Sequence, residues 1–370
     1  MKIDFLAYKN TLVWKALKIV LFLTAGIISL LLVIVFYFTI TDYKPEKLEH
    51  CNVYKKTTNK LSIDTISLVS WNIGYFGLNE DMDFFYDGGT KVRAKDKEYT
   101  KNINGIRKSI NSLKLNNDVL LFQEIDFYAK RSYNINQIDI LSSFLNNYTY
   151  TYAINYDVSF VPFPLKEPMG KVIAGMATFS KYKINSAKRY ALNSSFYWPK
   201  QLFMLDRCLL ITNITYKNKK VYIINLHNTA YDDNGSIKAK ELNQIKELLS
   251  KLYDKGNNYV IIGGDWNQSN PKNDNNNIIT EDKYYINQAM DGNIFPENWQ
   301  WAFDPKIPSN RDMNINYQKG KTKTSTIDYF LVSPNIQIIK TECLDYKFKY
   351  SDHNPVKVKI VLKSLLSDKK

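Results

Sequence analysis

The sequence predicts an α/β fold whose sheets are buried by helices, preceded by one membrane-spanning helix. Three observations carry that reading. An uncharged apolar run fills residues 19–41, short hydrophobic strands alternate with amphipathic helices along the rest of the chain, and no internal repeat is present. The size, 370 residues, fits two domains or one large domain with appendages. With 45% hydrophobic and 23% charged residues the chain is not disordered, and 14 Gly and 11 Pro are too few for a collagenous or low-complexity chain.

Taken in order, residues 1–18 form a basic N-terminus in which Lys2, Lys9, Lys15 and Lys18 are opposed only by Asp4. Residues 19–41 then run from Ile19 to Thr41 without a charge, enough to cross a hydrocarbon core of about 30 Å as a helix. The lysine excess lies before this anchor, which keeps the N-terminus cytoplasmic and directs everything after Thr41 to the periplasm or the exterior. A cleaved signal peptide fits less well, because the run exceeds the usual apolar core of about 7–15 residues and no A-x-A-like site follows. A buried core helix fits worse, since the run has no polar face. Residues 42–60 are polar and aperiodic, a linker; 61–365 are read as the folded domain and 366–370 as a tail.

Within the domain, ISLVSWNI (66–73) reads as a strand and 99–115 as a helix, with Ile103, Ile106, Ile110 and Leu113 on one face. Strands follow at 118–125, 175–182, 208–216 and 221–228. Ser236 is the expected cap of a helix reaching Tyr253, and further strands lie at 258–267, 326–333 and 355–362. The stretch PKNDNNN (271–277) reads as an exposed loop.

Charge and rare residues narrow the chemistry. Lys plus Arg outnumber Asp plus Glu by 50 to 36, a net +14 that favours polyanionic partners such as nucleic acid, phospholipid headgroups or other phosphate esters. General enrichment in Lys, Asn and Tyr explains the same excess without a partner. Three widely spaced cysteines, Cys51, Cys208 and Cys343, exclude a disulfide scaffold and a thiolate zinc site. Of the three histidines, His50 lies in the linker, so any imidazole chemistry falls to His227 and His353.

Polar groups recur where apolar strands run out: Asn72, Glu124, His227, Asp265, Asn267, Asp328, Asp352 and His353. Singly, each has a structural explanation. Asn72 is a turn residue, Glu124 pairs with a lysine, His227 is a satisfied core imidazole, Asp265 follows a Gly-Gly turn, Asp328 caps a neighbour and SDHNP feeds the last strand. Together, if the strand ends converge, they make an acidic pocket with two imidazoles. Oxygen ligands without thiolates suit Mg²⁺, Mn²⁺ or Ca²⁺.

In order along the chain, SWNIG (70–74), LFQEID (121–126), GMATFSK (175–181), INLHNTAYD (224–232), GGDWNQ (263–268), STIDYFLVS (325–333) and SDHNPV (351–356) resemble the motifs of the endonuclease/exonuclease/phosphatase superfamily. That superfamily includes deoxyribonucleases, AP endonucleases, neutral sphingomyelinases and inositol polyphosphate 5-phosphatases. The resemblance covers roughly residues 64–362 and leaves the anchor and linker outside. It implies two mixed β-sheets packed face to face in a four-layer α/β/β/α sandwich, with the site at one sheet edge.

It also implies roles. Glu124 is the main metal ligand, with Asn72 beside it and Asp352 reaching the same Mg²⁺ (or Mn²⁺ or Ca²⁺) or its waters. Asp265 orients or deprotonates the attacking water, and Asn267 holds water or phosphate. Asp328 pairs with His353 and fixes its charge, while His227 contacts the phosphoryl oxygen or protonates the leaving group. Trp266, where Phe is commoner, and Asn228, where many members have Leu, are expected to shape the pocket wall and with it the substrate class. Two segments are candidate recognition loops, 160–170 and 295–311. In the second, Arg311 is expected to clamp a phosphate by forking onto two oxygens, and the aromatics either meet bases or lipid or only fill a satellite core. Lys130 and Arg131 read as a solvated pair.

The function expected from this resemblance is a membrane-anchored, divalent-metal-dependent phosphoesterase, a diesterase before a monoesterase. A nuclease-like activity comes first, with a phospholipase C-type (sphingomyelinase-like) enzyme or an inositol phosphate phosphatase as alternatives. A non-catalytic anchored binding or assembly subunit is the rival of another class. The presence of all eight strand-end residues argues against it.

Overall fold

A computed structural model describes residues 4–194, 196–232, 234–273 and 289–363. The expected loop from 274 to 277 and the tail at 366–370 lie outside them. Helix α1 (Asp4–Ile40) carries the apolar run, and from Val13 to Ile40 it is long and apolar enough to cross a membrane, with none of its most apolar stretch buried against the protein. Two threonine hydroxyls in this stretch are satisfied within the helix: those of Thr24 and Thr39 donate to the carbonyls of Val20 and Val35, each at 2.8 Å.

The remaining elements, in chain order, are β1 (Leu48–His50), β2 (Thr65–Asn72), α2 (Asp96–Leu113), β3 (Val119–Ala129), α3 (Gln137–Phe144), β4 (Thr149–Val161), β5 (Gly170–Ser180), β6 (Ser186–Ala191), β7 (Cys208–Tyr216), β8 (Lys219–His227), α4 (Ser236–Tyr253), β9 (Tyr259–Asp265), β10 (Gln300–Ala302), β11 (Asn310–Arg311), β12 (Thr324–Ser325), β13 (Asp328–Val332), β14 (Ile336–Cys343) and β15 (Val356–Leu362). They build one sheet in the order β14-β15-β2-β3-β5-β4 and another in the order β1-β6-β7-β8-β9-β13-β10, with β11 and β12 as a separate ribbon. Both large sheets are mixed: β2–β3 and β8–β9 are parallel pairs and the others antiparallel.

Alternation along each strand sorts the side chains into layers. On β2, Ile66 and Leu68 face the second sheet, where they meet Ile223 of β8, Ile261 of β9 and Phe330 of β13 in the central core. Val69 and Trp71 face outward onto Ile106 and Ile110 of α2 and Leu141 of α3. The outer face of the second sheet, through Ile224 and Ile262, is covered by Leu242, Ile245 and Leu249 of α4. Helix, sheet, sheet and helix therefore stack as four layers.

One polar bridge crosses the otherwise apolar middle. Gln123 Nε2 donates to Asn225 Oδ1 at 2.7 Å and to Ser70 Oγ at 3.1 Å. Asn225 Nδ2 in turn donates to the carbonyls of Phe122 (3.1 Å) and Ala177 (2.9 Å) in the opposite sheet. All three side chains are fully buried.

Two local expectations are revised. The segment 42–60, read as a linker, contributes β1, which pairs with β6, and Tyr54, which bridges to Tyr150. Ser236 is the first helical residue of α4 rather than its cap; Asp232 Oδ2 accepts from the exposed N–H groups of Ile237 (2.8 Å) and Lys238 (2.9 Å) instead.

Candidate active site

At one end of the sandwich, strands of both sheets run out around a common space. In the second sheet, His227 at the end of β8 is in register with Asp265 at the end of β9, and Asp265 with Asp328 at the start of β13. Directly opposed residues share a face, so the pleat puts imidazole, carboxylate and carboxylate in one row. From the first sheet come Asn72, ending β2, and Glu124 on β3. Glu124 adopts φ 54°, in the left-handed region, where β3 slips its register against β5 between Phe122 and Ile125. A bulge of this kind redirects one side chain out of a buried strand. Asp352 and His353 arrive on the loop before β15.

The distances are short. Asn72 Nδ2 donates to Glu124 Oε1 and to Asp265 Oδ2, both at 3.1 Å. Asp265 Oδ2 lies 3.5 Å from His227 Nε2 and 3.7 Å from His353 Nε2, and Asp265 Oδ1 accepts from the Asn267 N–H at 2.9 Å. His227 Nε2 is 3.8 Å from Glu124 Oε1. Asp328 Oδ2 is 2.7 Å from His353 Nδ1, and His353 Nε2 is 3.9 Å from Asp352 Oδ2. The eight strand-end residues are thus gathered at one place. Asn267 is held by its neighbours: its Nδ2 donates to the Asn228 carbonyl at 2.9 Å, and its own carbonyl accepts from Lys238 Nζ at 3.1 Å.

The two imidazoles differ in charge. Burial alone would depress the His353 imidazolium, but the carboxylates of Asp328, Asp352 and Asp265 outweigh it and hold the ring protonated well above the usual imidazole range. A half-turn of the Asn310 amide, whose Nδ2 stands 3.0 Å from His353 Nε2, presents its oxygen to that imidazolium and its nitrogen to Ser325 Oγ. His227 goes the other way. Burial first, then the positive charges of Arg207 and His353, keep it neutral.

Asp265 and Asp352 are pushed up to about 6 and about 7, by burial first and then by the charges of Asp328 and Glu124 respectively, against the pull of His353. Crowded anions of this kind fit a hard divalent cation. The tightest acidic group among the described residues is Asp265, Asp328 and His353, with ligand atoms within 4.8 Å of one another. Asp328 and His353 already neutralise each other through their hydrogen bond, so Glu124 and Asp352, which have no cation hydrogen-bonded to them among the described residues, are the better donor pair. Asn72 is held between the two sheets. Its Oδ1 accepts from the Gly74 N–H at 3.1 Å, so the amide turns its nitrogen toward Glu124 and Asp265 and orients both.

Four further expectations are corrected. Arg311 does not present a fork to a phosphate: it is 1% exposed, and its Nη groups donate to the carbonyls of Asn79 (2.6 Å), Met82 (3.1 Å), Asp312 (3.1 Å) and Ile315 (3.3 Å). Trp266 is a core residue. Its ring stacks on Tyr329 at 5.2 Å and 7°, with Trp301 and Phe295 edge-on, and Nε1 donates to the Tyr329 carbonyl at 3.0 Å. That packing also accounts for the aromatics of 295–311. Asn228 has a buried side chain that is not among those lining the cavity, and its backbone makes its contacts here: the carbonyl accepts from Asn267 Nδ2 and the N–H donates to the Asp265 carbonyl at 3.0 Å. Arg131 is no solvated residue. It grips Asp126 with two bonds (3.0 and 2.9 Å) and lies 3.9 Å over the Tyr75 ring.

A cavity of about 420 Å³ opens over the polar cluster. Arg207 lines it, buried just before β7, with Nη1 3.4 Å from the His227 carbonyl and the charges of Glu241, Asp265 and Glu124 nearby. The sequence signal for it was a lone cation abutting the apolar strand CLLITNITY. Tyr75 and Asn310 also line the cavity, and nothing in their local sequence marked them.

Residues 69–353 match a family model described as the endonuclease/exonuclease/phosphatase family. Among solved structures, the chain is similar to an endonuclease/exonuclease/phosphatase from Beutenbergia cavernae DSM 12333 at 14% identity and TM-score 0.57, covering 81% of this chain and 72% of that one. A family protein from Leptotrichia buccalis C-1013-b aligns at 15% identity and TM-score 0.53, covering 80% and 99%. ANGEL2, a 2',3'-cyclic phosphatase, aligns at 16% identity and TM-score 0.51, covering 85% and 99%. At these identities the likeness is one of fold. No curated protein matches the chain.

Proposed function

The chain belongs to the endonuclease/exonuclease/phosphatase family, and from that premise we propose that it is a membrane-anchored, divalent-metal-dependent phosphodiester hydrolase. The observation carrying this reading is the convergence of Glu124, Asp352, Asp265, His227 and the Asp328–His353 pair on one cavity also lined by Arg207. Glu124 and Asp352 would hold the cation, which when bound neutralises the non-bridging phosphoryl oxygens. Asp265, fixed by Asn72 and Asn267, orients a water and takes its proton as the water oxygen bonds to phosphorus. The His353 imidazolium and Arg207 stabilise charge on the phosphoryl group. His227, held neutral, donates a hydrogen bond to a phosphoryl oxygen rather than a proton to the leaving group. The departing oxygen takes its proton from solvent.

Hydrolysis of bis(4-nitrophenyl) phosphate by the full chain in detergent micelles tests the reading. We expect turnover with Mg²⁺, Mn²⁺ or Ca²⁺ that a chelator abolishes and re-addition restores. Glu124→Gln should lower kcat about 10²-fold or more, and Arg207→Met should raise KM about tenfold. Full activity in excess chelator sinks the metal-dependent reading.

The anchor reading makes a separate prediction. With the lysines before α1 on the cytoplasmic side, protease added to intact cells should digest the domain and spare the N-terminus. A domain protected until lysis would reverse the orientation.

A further inference from the structure

Besides its polar cluster the cavity is lined by Tyr156, Val161, Phe163, Met169, Phe203 and Leu205, all but Phe163 packed in one hydrophobic cluster, which form an apolar trough. The last turn of α1 closes on this trough. The Phe38 ring meets Phe203, which lines the trough, edge-on at 5.3 Å, and Trp198 Nε1 donates to Thr39 Oγ1 at 3.2 Å. The apolar half of the cavity is therefore continuous with the end of the membrane-spanning helix.

The rim at this end has the composition of a surface that sits among headgroups. Phe163 is 56% exposed, Leu165 78%, Tyr197 94% and Trp198 63%, and Phe160 stands beside them. Lys166, Lys171 and Lys200 are interspersed, with Lys200 Nζ 4.5 Å over the Phe196 ring. Exposed aromatics with lysines are the mark of an interfacial belt, where apolar rings sink to headgroup depth and ammonium groups reach phosphates. Exposed apolar side chains flanking the residues that line a cleft mark a binding face.

Accepting the hydrolase reading above, we infer that the cavity is loaded from the bilayer that holds α1, and that its substrate is an amphiphilic phosphodiester. The phosphate lies among His227, His353 and Arg207, and the hydrocarbon part lies in the trough against Phe203 and Met169. A polynucleotide fits less well. It needs a run of unpaired cations along its backbone, and of the five cations lining the cavity, the His353 imidazolium included, Arg131 is bound by Asp126, Arg311 by backbone carbonyls and His353 by Asp328.

Two matched probes test this, 4-nitrophenyl methyl phosphate and 4-nitrophenyl hexadecyl phosphate, offered to the full chain in phosphatidylcholine vesicles with Mg²⁺. Cleavage of the P–O bond to the aryl group, the better leaving group of the two, releases nitrophenolate from either. We expect the hexadecyl ester to be preferred about 100-fold in kcat/KM, the effect of burying a few methylenes. In the double variant Leu165→Ser/Tyr197→Ser that ratio should fall about tenfold, with the methyl ester reporting in the same preparation that the fold survives. Equal turnover of the two esters, a ratio unmoved by the double variant, or faster cleavage of single-stranded DNA than of the hexadecyl ester overturns the inference and leaves phosphodiester hydrolysis standing. Cleavage of none of the three overturns the hydrolase reading and the inference with it.

Discussion

Asp265→Asn is expected to lower turnover of a soluble phosphodiester about 10³-fold, within the range for removing a positioned proton acceptor, while leaving the fold intact. Among the described residues, Asp265 is the one side chain in contact range of both imidazoles and of Asn72. Asparagine preserves the shape, but it cannot accept a proton, and it replaces one of two accepting oxygens with a donor. Whichever way the amide turns, that donor faces either the backbone N–H of Asn267 or the Nδ2 of Asn72. The check is kcat at saturating substrate, alongside thermal melting of parent and variant. Turnover within tenfold of the parent, with an unchanged melting curve, would remove Asp265 from the mechanism.

His353→Ala is expected to lose on the order of 10² to 10³-fold, the effect of deleting a preorganised charge from the site of developing negative charge. Asp328→Asn should act in the same direction more weakly, because its carboxylate supports the imidazolium through the 2.7 Å bond to Nδ1. If Asp328 acts through His353, the two losses are not additive: the double variant should be no slower than His353→Ala alone. Multiplying losses would show that Asp328 has an independent part. A near-normal His353→Ala enzyme would refute the electrostatic role while leaving the fold untouched.

The end of the molecule that carries the candidate site was largely legible from sequence because its residues interrupt apolar strands, where an unpaired polar group is expensive and so conspicuous. Asn72, Glu124, Asp265 and Asp328 all stand out in this way. What local sequence could not carry is a role decided by distant partners. Arg311 and Arg207 look alike in the chain, yet the carbonyls of Asn79 and Met82 claim the first while the second borders the cavity. Trp266 sits between Asp265 and Asn267, but Tyr329 stacks on it from another strand. Strand β14 escaped because it is an edge strand with mixed exposure along IQIIKTEC, which blurs the two-residue period. Strand β4 is long and Tyr-rich, and its register against β5 shifts twice, which breaks the alternation expected of a regular strand. Helix α3 is too short, at 8 residues, for a convincing helical period.

The Gln123–Asn225 bridge bears on how the two halves find each other. Apolar sheet faces are forgiving: one aliphatic row slides past another with little penalty, because burial has no direction. The active cluster tolerates no such play, since Asn72 of one sheet must reach Asp265 of the other at 3.1 Å, and a slip of one residue along a strand is about 3.3 Å. Directional bonds from Asn225 to Phe122, two residues before Glu124, and to Ala177, its neighbour on β5, work as the teeth of a ratchet and favour one docking position. The geometry of the candidate site therefore depends on the halves sitting in that one notch.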